Sequence, residues 1–389
     1  MPMTADLRRA TAQLPESGIV RVFRHGFGKP GLIPLWAGEG DLPTPPEITA
    51  PACRALERGE TFYTHQRGIP ELRQALAEYH GRLYRRAFSA EEFFVTGGGM
   101  QAIQLAMQLT AGDGAEVIVP MPAWPNFRGA VETTGARVVP VRMTPDERGW
   151  SLDFDKIERA ITMATRAIVI NSPSNPTGWT ATLEELSDIL DLARARGLWI
   201  IADEIYGRFH YPGSLAPSLQ TLRRPDDRIL FCQTFSKCWA MTGWRIGWLQ
   251  APPELGQTIE NLIQYNTSGV AQFLQRGAVA ALTDGEPFAL SEIERARAGR
   301  AIVSEALSGL NSVRYAPPAG AFYAFFTLDG VSDSLAAAID IIDHAAVGLA
   351  PGTAFGEGGE NCFRICFLRS PGQLEEAMQR LTRWIAAQR

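Results

Sequence analysis

The middle of the chain, from residue 93 to residue 234, alternates short, mainly apolar runs with stretches in which apolar residues recur every three or four positions. The apolar runs indicate strands buried in a sheet, and the three- to four-residue spacing indicates helices with one buried face. Strands that alternate with helices build a mostly parallel sheet with helices on both faces. The predicted strands cover residues 93–95, 116–119, 137–141, 167–170, 198–202 and 229–232.

Helices are predicted around these strands. Thr44 is predicted to cap a helix that begins at the following prolines, and a helix that opens after Gly68 has Leu72, Leu76 and Tyr79 on one stripe. Further helices are predicted after Gly99, with Ile103, Ala106, Met107 and Thr110 on one face, after residue 124, at 154–163, and at 182–196, with Leu183, Leu186, Ile189, Leu190 and Ala193 inward.

The two ends of the chain have a different pattern. Residues 1–35 show weak periodicity and are predicted to form a wrapping arm, followed by a strand from residue 33 that runs into a loop. After residue 253 the pattern predicts a helix that reaches about residue 282 and a second at 288–310. Strands at 321–326 and 362–367 and helices at 332–347 and 373–389 complete the prediction.

These patterns predict an α/β fold in which a mostly parallel central sheet is flanked by helices and joined to a smaller α+β domain. We expect residues 1–46 to form an N-terminal arm and part of the small domain. Residues 47–282 are expected to form the large α/β domain, and residues 283–389 the small C-terminal domain. A chain of 389 residues exceeds what one simple core usually supports.

Composition excludes several classes of protein. With 46% hydrophobic and 20% charged residues and a net charge of −5, the chain has no general attraction to nucleic acid or to an anionic membrane. Residues 1–9 lack the apolar core of a signal peptide, and no apolar stretch is long enough to span a bilayer. Five scattered cysteines favour a reducing cytoplasm, and no Cys/His cluster predicts a metal site.

Polar segments follow three of the predicted strands, at residues 171–178, 203–206 and 233–237. The carboxyl ends of parallel strands meet at one edge of a sheet, where ligands bind. Three glycines at 97–99 follow another strand and precede a helix. Such turns present free backbone N–H groups to an anion, although this spacing matches neither the dinucleotide fingerprint nor the P-loop.

The stretch from Thr234 to residue 248 carries the most specific chemistry. Lys237 lies among bulky apolar neighbours, so lost hydration should depress its pKa, as a lysine that forms a Schiff base requires. Thr234, Ser236 and Arg245 offer the neutral donors and the planar cation that suit a phosphate. A cofactor that carries a phosphate and whose carbonyl group forms an imine with lysine is pyridoxal phosphate (PLP). The alternative is a buried structural lysine beside a satisfied arginine.

Several motifs together resemble the class I/II aminotransferases of PLP fold type I, the aspartate aminotransferase superfamily. They are residues 37–41 (Ala-Gly-Glu-Gly-Asp), 175–178 (Asn-Pro-Thr-Gly), 203–206 (Asp-Glu-Ile-Tyr), 236–237 (Ser-Lys), 241–247 (Met-Thr-Gly-Trp-Arg-Ile-Gly), 352–356 (Gly-Thr-Ala-Phe-Gly) and 363–365 (Phe-Arg-Ile). Each motif is moderately specific alone, and their order and spacing over nearly the whole chain make them highly specific together.

The resemblance implies three catalytic residues. Lys237 would carry the cofactor as a Schiff base and, once freed, would act as general base and acid. Asp203 would keep the pyridine nitrogen protonated, and Tyr206 would hydrogen-bond the phenolic oxygen of the ring together with Asn175. Trp124 would stack on the ring face.

The resemblance also implies how the phosphate and the substrate would be held. The phosphate would bind the backbone of Gly99 and Met100, the side chains of Thr234, Ser236 and Arg245, and Tyr63 from a second subunit, so that a homodimer completes the site. The substrate would contact Gly38, Trp124 and Asn175, with its α-carboxylate on Arg364. For three of these residues a structural role is the alternative: Asp203 as a helix cap, Trp124 as core filler and Arg364 as an ion-pair partner.

The activity implied is transfer of the amino group of an L-amino acid to a 2-oxo acid by ping-pong chemistry in the cytoplasm. A β-lyase of the cysteine-S-conjugate type or a cyclopropane-forming synthase would use the same constellation, and a PLP-binding regulatory module is a third reading. No second cation that would bind a side-chain carboxylate of the substrate stands out. The aromatic and aliphatic neighbours favour neutral or apolar substrates. The unsupported cation candidates are Arg21, Arg24, His25 and Arg67, and the apolar neighbours are Phe23, Phe27, Ile33 and Trp36.

Overall fold

The computed structural model of the chain describes residues 7–12, 14–146 and 149–388. Its strands are β1 (Ile33–Pro34), β2 (Phe93–Thr96), β3 (Glu116–Met121), β4 (Arg137–Arg142), β5 (Thr144–Asp146), β6 (Gly149–Ser151), β7 (Thr165–Asn171), β8 (Trp199–Asp203), β9 (Ile229–Thr234), β10 (Gly247–Gln250), β11 (Val313–Arg314), β12 (Tyr323–Leu328), β13 (Val347–Gly348), β14 (Ala350–Pro351) and β15 (Cys362–Cys366). Its α-helices are α1 (Arg9–Ala12), α2 (Gly18–Gly26), α3 (Pro46–Glu57), α4 (Pro70–Tyr84), α5 (Gly99–Thr110), α6 (Pro125–Thr133), α7 (Phe154–Ala160), α8 (Leu183–Arg196), α9 (Gly256–Asn266), α10 (Gln272–Thr283), α11 (Glu286–Ser308), α12 (Ser334–Ala345) and α13 (Pro371–Ala387).

The main sheet has seven strands in the order β2-β10-β9-β8-β7-β3-β4. Strand β10 runs antiparallel to both of its neighbours, and the other pairs are parallel. The mostly parallel sheet predicted from the alternating pattern is therefore confirmed. The sequence prediction had no strand at β10, because its four residues follow the Lys237 loop directly and carry no alternation of their own.

Both faces of the main sheet are buried, as its apolar strands require. Val117 and Val119 face one hydrophobic cluster, which contains Ile103 of α5, whereas Ile118 of the same strand faces a second cluster, which contains Leu186 of α8. Successive side chains of a strand point to opposite faces, so one apolar run supports both layers. This packing fixes the carboxyl ends of β7, β8 and β9 next to one another.

The C-terminal part of the chain has its own antiparallel sheet, in the order β11-β12-β15-β14. Its central pair aligns Tyr323 with Cys366 and Phe325 with Arg364. Strand β1 pairs in parallel with β13 and continues into the loop that crosses toward the main sheet. The predicted α+β pattern of this region is observed, and the division of the chain at residues 46 and 282 stays a prediction.

Four predictions about helices need correction. The N-terminal arm contains helix α2, in which Ile19, Val22 and Phe23 have helical spacing, a short local pattern that the prediction overlooked. The helix predicted from 253 to 282 is two helices, interrupted where Ser268 and Gly269 adopt left-handed backbone conformations (φ 56° and 102°). Leu183, predicted to face inward, is 48% exposed in the first turn of α8.

Thr44 does not cap helix α3, which begins one residue later than expected, with Pro45 at the capping position. Its hydroxyl instead donates to the backbone oxygen of Ala240 (2.7 Å) and accepts from the indole nitrogen of Trp244 (2.9 Å). The loop before α3 is thus bound to the segment that follows Lys237. Within the described ranges no helix is both long and apolar enough to cross a membrane, and no group of three His, Cys, Asp or Glu side chains could hold a metal ion.

Candidate active site

One cavity of about 400 Å³ lies where the carboxyl ends of β7, β8 and β9 face the C-terminal sheet. Twelve of the residues predicted from the sequence line this cavity: Gly38, Gly99, Met100, Trp124, Asn175, Asp203, Tyr206, Thr234, Ser236, Lys237, Arg245 and Arg364. Loops from distant parts of the chain meet here because parallel strands end at the same edge of a sheet.

Lys237 lies in the turn after β9, and its side chain enters the cavity. Its amine donates a hydrogen bond to the backbone oxygen of Gly38 (2.8 Å) and lies 5.9 Å from the ring centroid of Tyr206. Loss of hydration lowers the pKa of Lys237 to about 8. Near neutral pH a usable fraction of the amine is therefore unprotonated, as a nucleophile or a proton acceptor requires.

Asp203 ends β8 at the floor of the cavity and is only 1% exposed. One carboxylate oxygen accepts from the backbone N–H of Ile205 (3.3 Å), and within the described residues no cation forms an ion pair with this carboxylate. Burial raises the pKa of Asp203 to about 7. A buried acid without a cation is unfavourable until a ligand supplies positive charge, so the floor of the cavity is suited to a cationic group.

Glu204, the next residue, shows how differently an equally buried carboxylate can be used. It does not line the cavity, and its oxygens accept from the hydroxyl of Ser218 (2.6 Å) and the backbone N–H of Leu219 (3.1 Å). Two donors inside the protein satisfy this carboxylate, whereas Asp203 faces the cavity. Alternation along the end of a strand sends the two acids to opposite sides.

The far end of the cavity is built to bind an anion. At the start of α5 the backbone N–H groups of Gly99 and Met100 precede the first helical hydrogen bond, which Gln101 donates to Gly98, and the helix dipole adds positive potential there. The hydroxyl of Thr234 lies 2.9 Å from that of Ser236. The Arg245 guanidinium lies so close to Gly98 that a Cβ at that glycine would come within 2.6 Å of it. A phosphate-sized anion would meet backbone donors, hydroxyls and a cation together.

Arg364, at the centre of β15, is a buried cation whose partners are neutral. Its two hydrogen bonds go to the side-chain oxygen of Asn175 (2.9 Å) and to the backbone oxygen of Trp36, and its Nε has no partner. It is 2% exposed, and among the residues that the structure describes no carboxylate pairs with it. An unneutralised buried guanidinium favours binding of an anion, and its planar donors match a carboxylate.

Much of the cavity wall is aromatic or apolar. Trp124 stands at the start of α6 with its ring edge against Phe127, and its side chain borders the cavity. Tyr206 is buried, and its hydroxyl is 2.7 Å from that of Tyr323. Sequence reasoning missed Tyr323, because it lies within a run of apolar strand residues and has no motif of its own. Other lining residues that were missed are Ile19, Ile103, Asn126, Asn171 and Ile205.

Tyr63 is the predicted cofactor contact that does not line this cavity. Its side chain is 93% exposed, on a surface that residues 61–64 form with residues 267–271. Its predicted role in the site of a second subunit stays a prediction.

Of the apolar neighbours expected around the substrate, only Trp36 lines the cavity. Phe23 packs edge-on against Trp36 from outside, with ring centroids 6.0 Å apart, and Phe27 in turn packs on Phe23. The four cation candidates also lie elsewhere: Arg24 pairs with Glu16, His25 with Asp343 and Arg67 with Glu260, while Arg21 lines a neighbouring cavity of about 960 Å³.

Comparison with known proteins agrees with this geometry. The profile of the family "Aminotransferase class I and II" matches residues 30–381. An aspartate aminotransferase of Pyrococcus horikoshii is 34% identical over 372 residues, covering 95% of this chain and 94% of the relative. Aromatic-amino-acid aminotransferase 2 of Thermococcus litoralis is 35% identical over 374 residues, covering 94% of each chain.

A solved structure extends the likeness to the fold. A single mutant of the aspartate aminotransferase of Thermus thermophilus superimposes with a TM-score of 0.90 at 33% identity, covering 97% of this chain and 99% of that chain. The family match, the relatives and the shared fold span nearly the whole sequence. The chain therefore belongs to the class I and II aminotransferases, enzymes that use pyridoxal 5′-phosphate as their cofactor.

Proposed function

We propose that this enzyme transfers the amino group of a neutral L-amino acid to a 2-oxo acid in ping-pong fashion, with PLP bound to Lys237 as a Schiff base. The observation that carries the proposal is that one cavity joins a reactive amine, an acid without a cation, an anion-binding end and a buried arginine without an anion. No single charged ligand would use all four features. A phosphorylated pyridine aldehyde together with an amino acid would use each of them.

The residues around the cavity fit this cofactor group by group. Its phosphate suits the first turn of α5 with Thr234, Ser236 and Arg245, and its ring nitrogen suits Asp203. Tyr206 and Asn175 are polar groups available to the ring oxygen, and Trp124 offers a flat face for stacking. When bound, the cofactor supplies an aldehyde that reacts with amines and a ring that accepts electrons.

Each protein residue then has a defined task. The carboxylate of Asp203 holds a proton on the ring nitrogen, and low polarity around it strengthens that ion pair. Arg364 binds the substrate α-carboxylate through two parallel hydrogen bonds and so orients the α-carbon. The amine of Lys237 accepts the α-proton and later returns a proton, for which a pKa near the working pH is efficient.

The cavity favours a neutral side chain on the substrate. The three cations that line it, Lys237, Arg245 and Arg364, all have proposed tasks, and no fourth cation among the described residues borders it. Apart from Asp203, the rest of its lining carries no charge: it is mainly apolar or aromatic, with Ile19, Trp36, Met100, Ile103 and Tyr323, beside the amides of Asn126 and Asn171. A buried side-chain carboxylate would be left unpaired there, which is unfavourable.

A half-reaction separates this function from its alternative. Purified enzyme loaded with PLP is mixed with one amino acid and no acceptor, and absorbance and released products are followed. We expect leucine, methionine or phenylalanine to change the cofactor spectrum and release one equivalent of 2-oxo acid, with aspartate slower by roughly 10²-fold. Pyruvate and ammonia formed in many turnovers without an acceptor would support the β-lyase instead.

We further propose that the working enzyme is a homodimer in which Tyr63 enters the partner's cavity. Phe62, Tyr63 and Tyr265 are large and exposed in this chain, on or near one surface, an arrangement typical of protein–protein contacts. A phenol that reached the phosphate end would add one donor to the backbone groups there.

Mixing two inactive variants tests the shared site. Tyr63→Glu places a negative charge against the phosphate, and Lys237→Ala removes the reactive amine, so neither protein alone should be active. Coexpressed, they form hybrid dimers with one intact site, and we expect about a quarter of wild-type activity from statistical mixing. The control is Met163→Glu, at an equally exposed side chain, which should keep full activity. No recovery in a verified hybrid would contradict the proposal.

A further inference from the structure

Tyr323 is a cavity residue to which no motif assigns a role, yet it contacts three groups of the site. It begins β12 in the C-terminal sheet and is fully buried. Its hydroxyl is 2.7 Å from that of Tyr206, and the two rings meet at 84° with centroids 5.5 Å apart. The Arg364 guanidinium lies over its ring, 4.6 Å from the centroid.

Register explains why Tyr323 and Arg364 meet. Tyr323 pairs with Cys366 and Phe325 pairs with Arg364, so Tyr323 and Arg364 are diagonal neighbours on one face of the sheet. On its other side, the Tyr323 hydroxyl occupies the space that a Cβ at residue 38 would need, so a larger residue at Gly38 would displace that hydroxyl. Gly38 is also the residue whose backbone oxygen accepts from Lys237. Tyr323 thus packs against Arg364 on one side and, on the other, against Gly38, which binds Lys237.

The direction of the hydrogen bond between the two tyrosines depends on what Tyr206 does with its proton. A tyrosine hydroxyl has a single proton to donate, and either oxygen could be the donor in the pair as it stands. If Tyr206 donates to the ring oxygen of the cofactor, it has no proton left for Tyr323. The bond between them then persists only with Tyr323 as the donor.

We propose that Tyr323 is a positioning residue that donates to Tyr206 and so commits the proton of Tyr206 to the cofactor's ring oxygen. This inference rests on the proposed function, because it requires PLP on Lys237. A donated hydrogen bond polarises Tyr206 and makes it a stronger donor in turn, as in other hydrogen-bonded chains. With the cofactor bound, this stronger donor would stabilise negative charge at the ring oxygen and so lower the pKa of the nitrogen through which Lys237 would hold the cofactor.

The test is a pH titration of the absorbance of the lysine-bound cofactor in Tyr323→Phe, which keeps the aromatic ring and removes one oxygen. We expect the pH midpoint of this titration to rise by roughly half a pH unit. The shift is small because the variant loses only the bond that polarises Tyr206 and keeps the bond from Tyr206 to the ring oxygen. Tyr206→Phe should raise it further. The double variant should match Tyr206→Phe alone, because Tyr323 acts only through Tyr206. We also expect a lower kcat with little change in KM.

Tyr315→Phe is the matched control, because its hydroxyl bonds to Ser304 (2.9 Å) and does not line the cavity. Its midpoint should equal that of the wild type. An unchanged midpoint in Tyr323→Phe, or an added shift in the double variant, would overturn the inference. So would a Tyr323→Phe protein that no longer binds stoichiometric cofactor, because the proposal gives the hydroxyl no other role. If the wild type itself forms no lysine-bound chromophore, it is the proposed function that fails.

Discussion

Lys237→Ala is expected to reduce transamination by at least roughly 10⁴-fold, the upper range for loss of a proton-transfer group. The substitution removes both the attachment point of the cofactor and the amine that moves the α-proton. Steady-state kinetics measure the loss, and the absorbance of the lysine-bound cofactor should disappear while the variant still binds PLP through its phosphate end. Retention of full turnover would contradict the mechanism.

The composition of the chain makes the attachment point unusually easy to check. The sequence contains three lysines, Lys29, Lys156 and Lys237. Lys29 pairs with Asp343 at the surface, and Lys156 lies 3.9 Å from Asp153 on α7. After borohydride reduction of the PLP-loaded enzyme, mass spectrometry should find the label on Lys237 alone. Lys156→Ala is the control and should keep full activity.

Asp203→Asn is expected to lower kcat/KM by roughly 10²–10³-fold, the effect of losing one pre-organised electrostatic contact. An amide cannot hold a proton on the ring nitrogen, so the ring accepts electrons less well. The same change should stabilise the protein without cofactor, because it removes a buried carboxylate that lacks a cation. Denaturant unfolding of the cofactor-free proteins measures this second effect.

The sign of the pH dependence follows from the raised pKa of Asp203. Burial raises it from 3.8 to about 7, so between these values the folded protein holds a proton that the unfolded chain has lost. The contribution of Asp203 therefore falls as pH rises through this window and is most unfavourable above pH 7. The stability advantage of Asp203→Asn should grow from pH 4 to pH 7, to a few kcal/mol at most, and then level off.

Glu204→Gln is the matched control for Asp203→Asn. Glu204 is equally buried, and burial raises its pKa to about 7 as well, but it lies outside the cavity and its oxygens are satisfied by Ser218 and Leu219. The control should keep its activity to within a few-fold. Loss of activity equal to that of Asp203→Asn would show that general disruption of β8, and not the contact with the cofactor, explains the result.

Much of the site could be predicted because the point at which an apolar strand ends in polar residues is visible in the local sequence. Apolar runs that end in polar residues located Asn175, Asp203 and Lys237 at one edge of a sheet, and their surroundings line one cavity. The interruption between α9 and α10 also has a local signal, the Ser268-Gly269 pair, which the helix prediction overlooked. What the sequence did not reveal is the tertiary contact beside it: Gln275 donates to the backbone oxygen of Val270 and accepts from the backbone N–H of Ile69, more than 200 residues earlier in the chain.

The sequence by itself determined the alternation of strands and helices, the order of the polar loops and the chemistry of Lys237, because these depend on neighbours within a few residues. Only the tertiary structure decided that Arg364 would lie buried with neutral partners and that Tyr323 would meet Tyr206 across 117 residues of chain. Sheet register and the packing of two distant sheets set those contacts. The sequence of a strand specifies which of its side chains share a face of the sheet, but it does not specify which residues of other elements pack against that face.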